Sequence, residues 1–160
     1  MFSSFFISPI GRMHITASDA GITGVYFKED EEQLPANNPN KWTTGCEEQL
    51  AAYFAGDLKK FDMALAATGT PFQQQVWSYL VSVPFGKTDT YGAIANALDN
   101  PLSIRAVGAA NGKNPIAIIV PCHRIIGANG TLTGYAGGLW RKEFLLKHEG
   151  VTAFVQPTLF

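Results

Sequence analysis

Three short apolar segments open the chain, each separated from the next by turn chemistry. Phe2 to Ile7 mixes aromatic and aliphatic residues with serines, Arg12 to Ala17 alternates, and Ile22 to Phe27 is β-branched or aromatic. Ser8-Pro9-Ile10-Gly11 and Asp19-Ala20-Gly21 supply the breaks, so the pattern predicts three strands. Lys28 to Asn40 is charged, then rich in Pro and Asn, and reads as a solvated loop. From Glu47 to Phe54 the spacing of Leu50, Ala51, Tyr53 and Phe54 turns helical, with Gly56 as a stop. Ala66 to Thr70 looks like a linker. It divides the chain into a front domain, residues 1–68, and a back domain, residues 69–160.

Beyond the linker the texture becomes helical. Thr70, Pro71 and Gln73 form a capping-box start with proline at the first helical position. Phe72, Val76, Trp77, Leu80 and Val81 make one apolar face, and Pro84-Phe85-Gly86 ends that helix. Thr90 caps a second helix, Tyr91 to Leu98. Asn100 with Pro101 opens a third that ends near Asn111-Gly112. Short helices joined by a tight turn fit a helix-turn-helix, a packing solution as well as a DNA reader. Ile116 to Val120 is an apolar run that must be buried. Asn129-Gly130 is a hairpin-type turn, and Gly138 to His148 forms a last amphipathic helix before Gly150.

Composition narrows the class. At 160 residues with 46% hydrophobic and 16% charged content, the chain can bury a real core. It has no apolar run long enough for a membrane helix and no secretory leader pattern at its start, which predicts a cytoplasmic protein without a membrane partner. The net charge of −1 conceals an asymmetry. Residues 1–68 hold five Lys and Arg against nine Asp and Glu, whereas residues 69–160 hold seven against four. A basic back half suits an anionic partner, nucleic acid included. Cys46 and Cys122 are too few for a disulfide framework. With His14, His123 and His148 scattered, no metal site and no cofactor are expected. Cys46 reads as structural, near a helix start.

Cys122 is different. Pro121, Cys122, His123 and Arg124 place a thiol, a base and a cation together where a buried run leaves the core. An ordinary thiol is only a few per cent ionised near neutrality, so it needs a base to react quickly. Neighbours in extended chain point to opposite sides, so His123 would reach the sulfur through a water or across a turn. A carboxylate should then orient the imidazole. Glu149, Glu143, Asp89 and Asp99 are the candidates in the back half.

The run Pro121-Cys122-His123-Arg124-Ile125 resembles the active-site signature of the O6-alkylguanine-DNA alkyltransferases. The resemblance continues in order through Phe72 to Trp77, Thr90 to Ala95, Arg105 to Ala110, Asn114-Pro115, Gly134 to Gly138 and Leu146 to Gly150. It covers residues 70–150 tightly and the front half loosely. It implies an α/β protein, with a small ribonuclease-H-like domain before a mostly helical, winged-helix-like domain. It further implies irreversible, single-turnover transfer of an alkyl group from O6-alkylguanine, with O4-alkylthymine as a second candidate, to Cys122. By the same resemblance Glu149 completes a relay through His123, Asn114 braces the turn before the active site, and Tyr91 serves the departing guanine.

Tyr135, Ala136, Gly137 and Pro121 would line the base pocket, Ala136 replacing a serine found in some members. Arg105 would fill the gap left by a flipped base, with Ala106, Gly108, Ala109, Thr90 and Arg124 also on the DNA. A helix so bare suits close approach in the narrow minor groove; alanines packed against the core would look the same. The expected partner is double-stranded DNA and the expected state a monomer. Two other readings are a lesion binder that does no chemistry, against which Cys122 itself counts, and a Cys-His hydrolase turning over acyl substrates.

Overall fold

The computed structural model describes residues 1–29, 35–100 and 103–155. The chain divides into two units. One comprises Met1–Thr68 with Pro115–Ile119, the other Gly69–Asn114 with Val120–Phe160.

In the first unit, β1 (Phe2–Ser8), β2 (Gly11–Ala17) and β3 (Ile22–Phe27) form an antiparallel sheet in sequence order, as the alternation predicts. Ser8 pairs with Gly11, which fixes the register so that Phe5 faces His14 and His14 faces Tyr26. Helix α1 (Lys41–Phe54) packs on all three strands. Its Cys46, Leu50 and Tyr53 are fully buried, as are Met13, Ile15 and Ala17 of β2. The helix begins six residues before the expected Glu47. Asn40 caps it, accepting from the Trp42 and Thr43 N–H groups, while Thr43 Oγ1 accepts from the Asn40 N–H. Cys46 therefore lies inside the helix, in the core.

Residues of β2 and its neighbours form a polar-aromatic cluster. Phe5 stacks on the buried His14 at 4.7 Å, and the Tyr26 hydroxyl lies 2.7 Å from His14 Nδ1. The edge of β3 is extended by a distant segment. The Val25 N–H donates to the Pro115 carbonyl and the Ala117 N–H to the Val25 carbonyl, both at 2.8 Å. This pairing puts Pro115–Ile119, expected within the back domain, in the first unit. Ile118 is fully buried with φ of +72°, a costly conformation for a β-branched residue, inside a turn closed by Ile119 N–H on the Ala117 carbonyl.

In the second unit, α2 (Pro71–Ser82) starts with the predicted capping box. Thr70 Oγ1 accepts from the Gln73 N–H at 3.1 Å, and Gln73 Oε1 from the Thr70 N–H at 2.9 Å. Helices α2 and α3 (Tyr91–Ala97) both pack on α4 (Ile104–Gly112). The Trp77 indole N–H donates to the Ala110 carbonyl at 2.9 Å. Pro101 lies outside the described residues, and α4 starts later than expected, after a Ser103 that makes no side-chain cap. A two-residue parallel pair, β4 (Asp89–Thr90) with β5 (Ile125–Ile126), ties the start of α3 to the segment after Cys122. Helix α5 (Leu139–His148) closes the unit with Leu145 and Leu146 buried. Among the described residues no helix is long and apolar enough to cross a membrane.

Candidate active site

Every element of the site belongs to the second unit. The chain leaves Val120 through a tight turn, with the Cys122 N–H on the Val120 carbonyl at 2.8 Å, and enters a 3-10 turn over Cys122–Arg124. The extended geometry that separates neighbouring side chains is absent, because three residues here are wound rather than stretched.

His123 is fully buried. Its Nε2 lies 2.7 Å from Glu149 Oε2. Of the four carboxylates open to sequence reasoning, Glu149 is thus the one that meets the imidazole. It also accepts from Arg124 Nε at 2.8 Å, Arg124 Nη2 at 3.0 Å and the Gly86 N–H at 3.3 Å. Burial pushes the Glu149 carboxyl up, but His123 and Arg124 outweigh it and hold the group well below the usual carboxylate range. An ionised carboxylate only accepts, so Nε2 carries the imidazole hydrogen. Burial, reinforced by the Arg124 and Lys142 charges, depresses the His123 pKa despite the carboxylate. We take His123 as neutral, which leaves Nδ1 with its lone pair free. That atom is buried and has no hydrogen-bond partner among the described residues. It is a base waiting for a proton.

Cys122 is 8% exposed. Burial raises its pKa, while a hydrogen bond from the Asn114 side chain, the Lys142 charge and a backbone N–H all lower it. Asn114 also donates from Nδ2 to the Val120 carbonyl at 2.7 Å, which locks the chain on either side of Pro115–Ile119. The Tyr91 hydroxyl sits 2.7 Å from Thr133 Oγ1, and the Tyr135 hydroxyl is sealed from solvent without a hydrogen-bond partner among the described residues. Burial raises both phenols, so both stay protonated and able to donate.

Arg124 does not stand on a DNA-facing surface as expected. It is 5% exposed, doubly bound to Glu149, and donates from Nη1 to the Val83 carbonyl at 2.6 Å. A guanidinium so committed has no fork left for a phosphate. Its work is to keep Glu149 charged.

Helix α4 presents two faces. Val107, Ala110 and Asn111 are buried; Arg105, Ala106 and Ala109 are exposed, and Gly108 is half-buried with Tyr91 Cδ1 nearby. Only Ala110 of the alanines is packed inward. Thr90 caps α3, its Oγ1 accepting from the Ala93 N–H at 3.1 Å. Pro121 is buried beside Cys122, whereas Ala136 is exposed and Gly137 half-buried in the loop leading to α5.

Sequence reasoning missed two members of the site. Lys142 is completely buried, its Nζ donating to the carbonyls of Ile125 at 2.6 Å and Thr133 at 2.9 Å. Burial pulls its pKa down to about 8, and Cys122 acts to raise it. The signal was available: with Leu139, Leu145 and Leu146 it occupies the apolar stripe of α5, where a lysine needs a reason. Thr133 carried no signal. Among the described residues no three His, Cys, Asp or Glu gather as metal ligands.

Two family descriptions divide this chain between them. Residues 1–67 match the ribonuclease-like domain, and residues 71–151 the DNA binding domain, of 6-O-methylguanine DNA methyltransferase. The methylated-DNA–protein-cysteine methyltransferase of Methanosarcina acetivorans is 51% identical over 94% of this chain and 99% of its own. This chain belongs to that family. The Mycobacterium bovis methylated-DNA–protein-cysteine methyltransferase is 46% identical over 96% of this chain and 94% of its own. Among solved structures, Mycobacterium tuberculosis OGT in complex with DNA superposes with a TM-score of 0.85 at 45% identity, covering 93% of this chain and 92% of that one. The Mycobacterium tuberculosis O6-methylguanine methyltransferase gives 0.81 at 44% identity, covering 92% of each chain. The expected architecture, a ribonuclease-like α/β front domain before a helical DNA-binding domain, is that of the methyltransferase family.

Proposed function

We propose that this chain repairs alkylated DNA by transferring the alkyl group of O6-alkylguanine to Cys122, once per molecule. One observation carries the reading: a buried carboxylate–imidazole pair leaves one imidazole nitrogen bare, in the same 3-10 turn as a thiol that Asn114 also contacts.

The proton of Cys122 passes to His123 Nδ1, directly or through a water, and Glu149 stabilises the imidazolium that forms. The thiolate attacks the alkyl carbon, the carbon–O6 bond breaks, and its electron pair remains on the guanine. The Tyr91 hydroxyl and the Ala136 N–H are the donors proposed to meet that developing charge. The product is a thioether. It has no carbonyl through which water could restore the thiol, so the protein is consumed.

O6 of a stacked guanine cannot meet the sulfur in line, so the base must be extruded. The exposed face of α4 suits this step. Ala106 and Ala109 let the backbone approach a narrow groove closely, and Arg105 is the long side chain placed to occupy the vacated stack. Gly108 borders the same face, Thr90 caps the neighbouring helix α3, and Arg124 takes no part. Tyr135, Ala136, Gly137 and Pro121 form the proposed base pocket. One copy carries every group named, so the reading needs no partner subunit.

Incubation with a duplex containing O6-methylguanine, followed by peptide mass spectrometry, tests the proposal. One methyl group on the peptide carrying Cys122, absent in Cys122→Ser, is expected. Tight binding without mass gain would indicate a lesion binder, and repeated turnover a hydrolase; either outcome would overturn it.

A further inference from the structure

Three consecutive side chains at the start of α5 reach back to the loop that precedes the helix. Lys142 Nζ holds the Thr133 carbonyl at the beginning of that loop, at 2.9 Å. Arg141 Nη1 donates to the Gly137 carbonyl near its end, at 3.0 Å. Trp140 lies against Gly138. A Cβ built on that glycine would stand 3.3 Å from Trp140 Cδ1 and 3.4 Å from Nε1. The Arg141 guanidinium lies 4.6 Å from the centre of the Trp140 ring, so the two side chains brace one another.

The loop needs such a brace. It contains Gly134, Gly137 and Gly138, each of which widens its conformational range. Gly138 caps α5 at φ +93° and supplies no side-chain hydrogen bond, so the helix start is not fixed in the usual way. Within the loop the Gly138 N–H donates to the Tyr135 carbonyl at 2.8 Å, which makes one turn of Tyr135 to Gly138. Tyr135 carries its hydroxyl into the interior, where Cys122 acts on its ionisation, whereas Trp140 remains 55% exposed. An indole this open, resting on a glycine and an arginine of the same turn, contributes little to a core. It contributes stiffness.

We propose that Trp140 and Arg141 are positioning residues that fix the Tyr135–Gly138 turn and thereby set which O6 substituents the base pocket admits. This rests on the alkyl-transfer reading above. A methyl group adds little to the volume of guanine, whereas a benzyl group adds a ring and requires the turn to yield. Removing the brace loosens the turn, so selection against the larger adduct weakens.

The test compares single-turnover rates on O6-methylguanine and O6-benzylguanine in one duplex sequence. Trp140→Ala and Arg141→Met are expected to leave methyl transfer within about threefold and to raise the benzyl-to-methyl ratio by about tenfold, the scale on which apolar pockets discriminate size. Trp140→Phe, which keeps a ring against Gly138, should restore most of the wild-type ratio. An unchanged ratio overturns the proposal, whether both rates fall together or only DNA affinity moves. Cys122 alkylation by iodoacetamide and by its N-benzyl analogue gives the same ratio without DNA. That arm should move in the same direction, and it separates failure of the brace from failure of the transfer reading.

Discussion

The two thiols of the chain occupy opposed surroundings. Cys46 is sealed between α1 and the sheet, where burial, helped by Glu47, pushes its pKa up to about 12. Cys122 is also raised by burial, but Asn114 and Lys142 work against that. A small electrophile should therefore modify Cys122 faster than Cys46 in the folded protein, because Cys122 shares its turn with a base and Cys46 is sealed in the core. Peptide mapping after limiting iodoacetamide checks this, and equal labelling would contradict it. Glu149 offers a second residue-scale outcome. Glu149→Gln leaves Arg124 buried without its counter-charge, so a loss of about 3–5 kcal/mol is expected in urea unfolding, with slower thiol modification. Histidine sets the pH response. His14 is depressed by burial and by Lys28, and His123 by burial above all. Both pKa values lie below the unfolded value of 6.5, so the unfolded chain binds more protons as pH falls. The histidine contribution to stability is complete above that value and declines below it. Unfolding midpoints at a series of pH values should show the decline, and His14→Phe should flatten part of it.

At the scale of elements, capping controls how much is fixed locally. Thr70 and Gln73 satisfy each other's backbone N–H groups, so Thr70→Ala should lower stability by about 1 kcal/mol without altering the site, as thermal unfolding would record. The same motif explains what could be read in advance. Strands β1 to β3 and helices α2, α3 and α5 were legible because their periodicity and stop signals are local. The start of α1 was hidden, since Trp42-Thr43-Thr44-Gly45 is poor in helix formers and its box closes with threonine in place of Glu or Gln. Cys122, His123 and Glu149 were named in advance on the strength of ordered motifs. The burial of Arg124 beside Glu149 was not, because a lone arginine looks the same whether it meets phosphate or carboxylate. Nor was the burial of Lys142, whose partners are main-chain carbonyls with no identity to read. The pairing of Pro115–Ile119 with β3 joins residues far apart in sequence, and no local pattern reports a distant partner.

The whole chain passes between its two units at Thr68–Gly69, Asn114–Pro115 and Ile119–Val120. A fragment of residues 69–160 would carry Ile116, Ile118 and Ile119, all buried in the intact protein, without the strand that Pro115 and Ala117 pair with. Such a fragment should aggregate, and replacing Ile116 and Ile118 with polar residues should improve its recovery in the soluble fraction. Two modules on a single tether can be exchanged between genes by one cut. Here the hydrogen bond from Asn114 to the Val120 carbonyl closes the neck of a five-residue excursion, and the excursion bridges to β3 of the other module through Ile116. A crossover placed at the linker would graft a foreign edge onto β3, so these modules are expected to be inherited together and to drift in step.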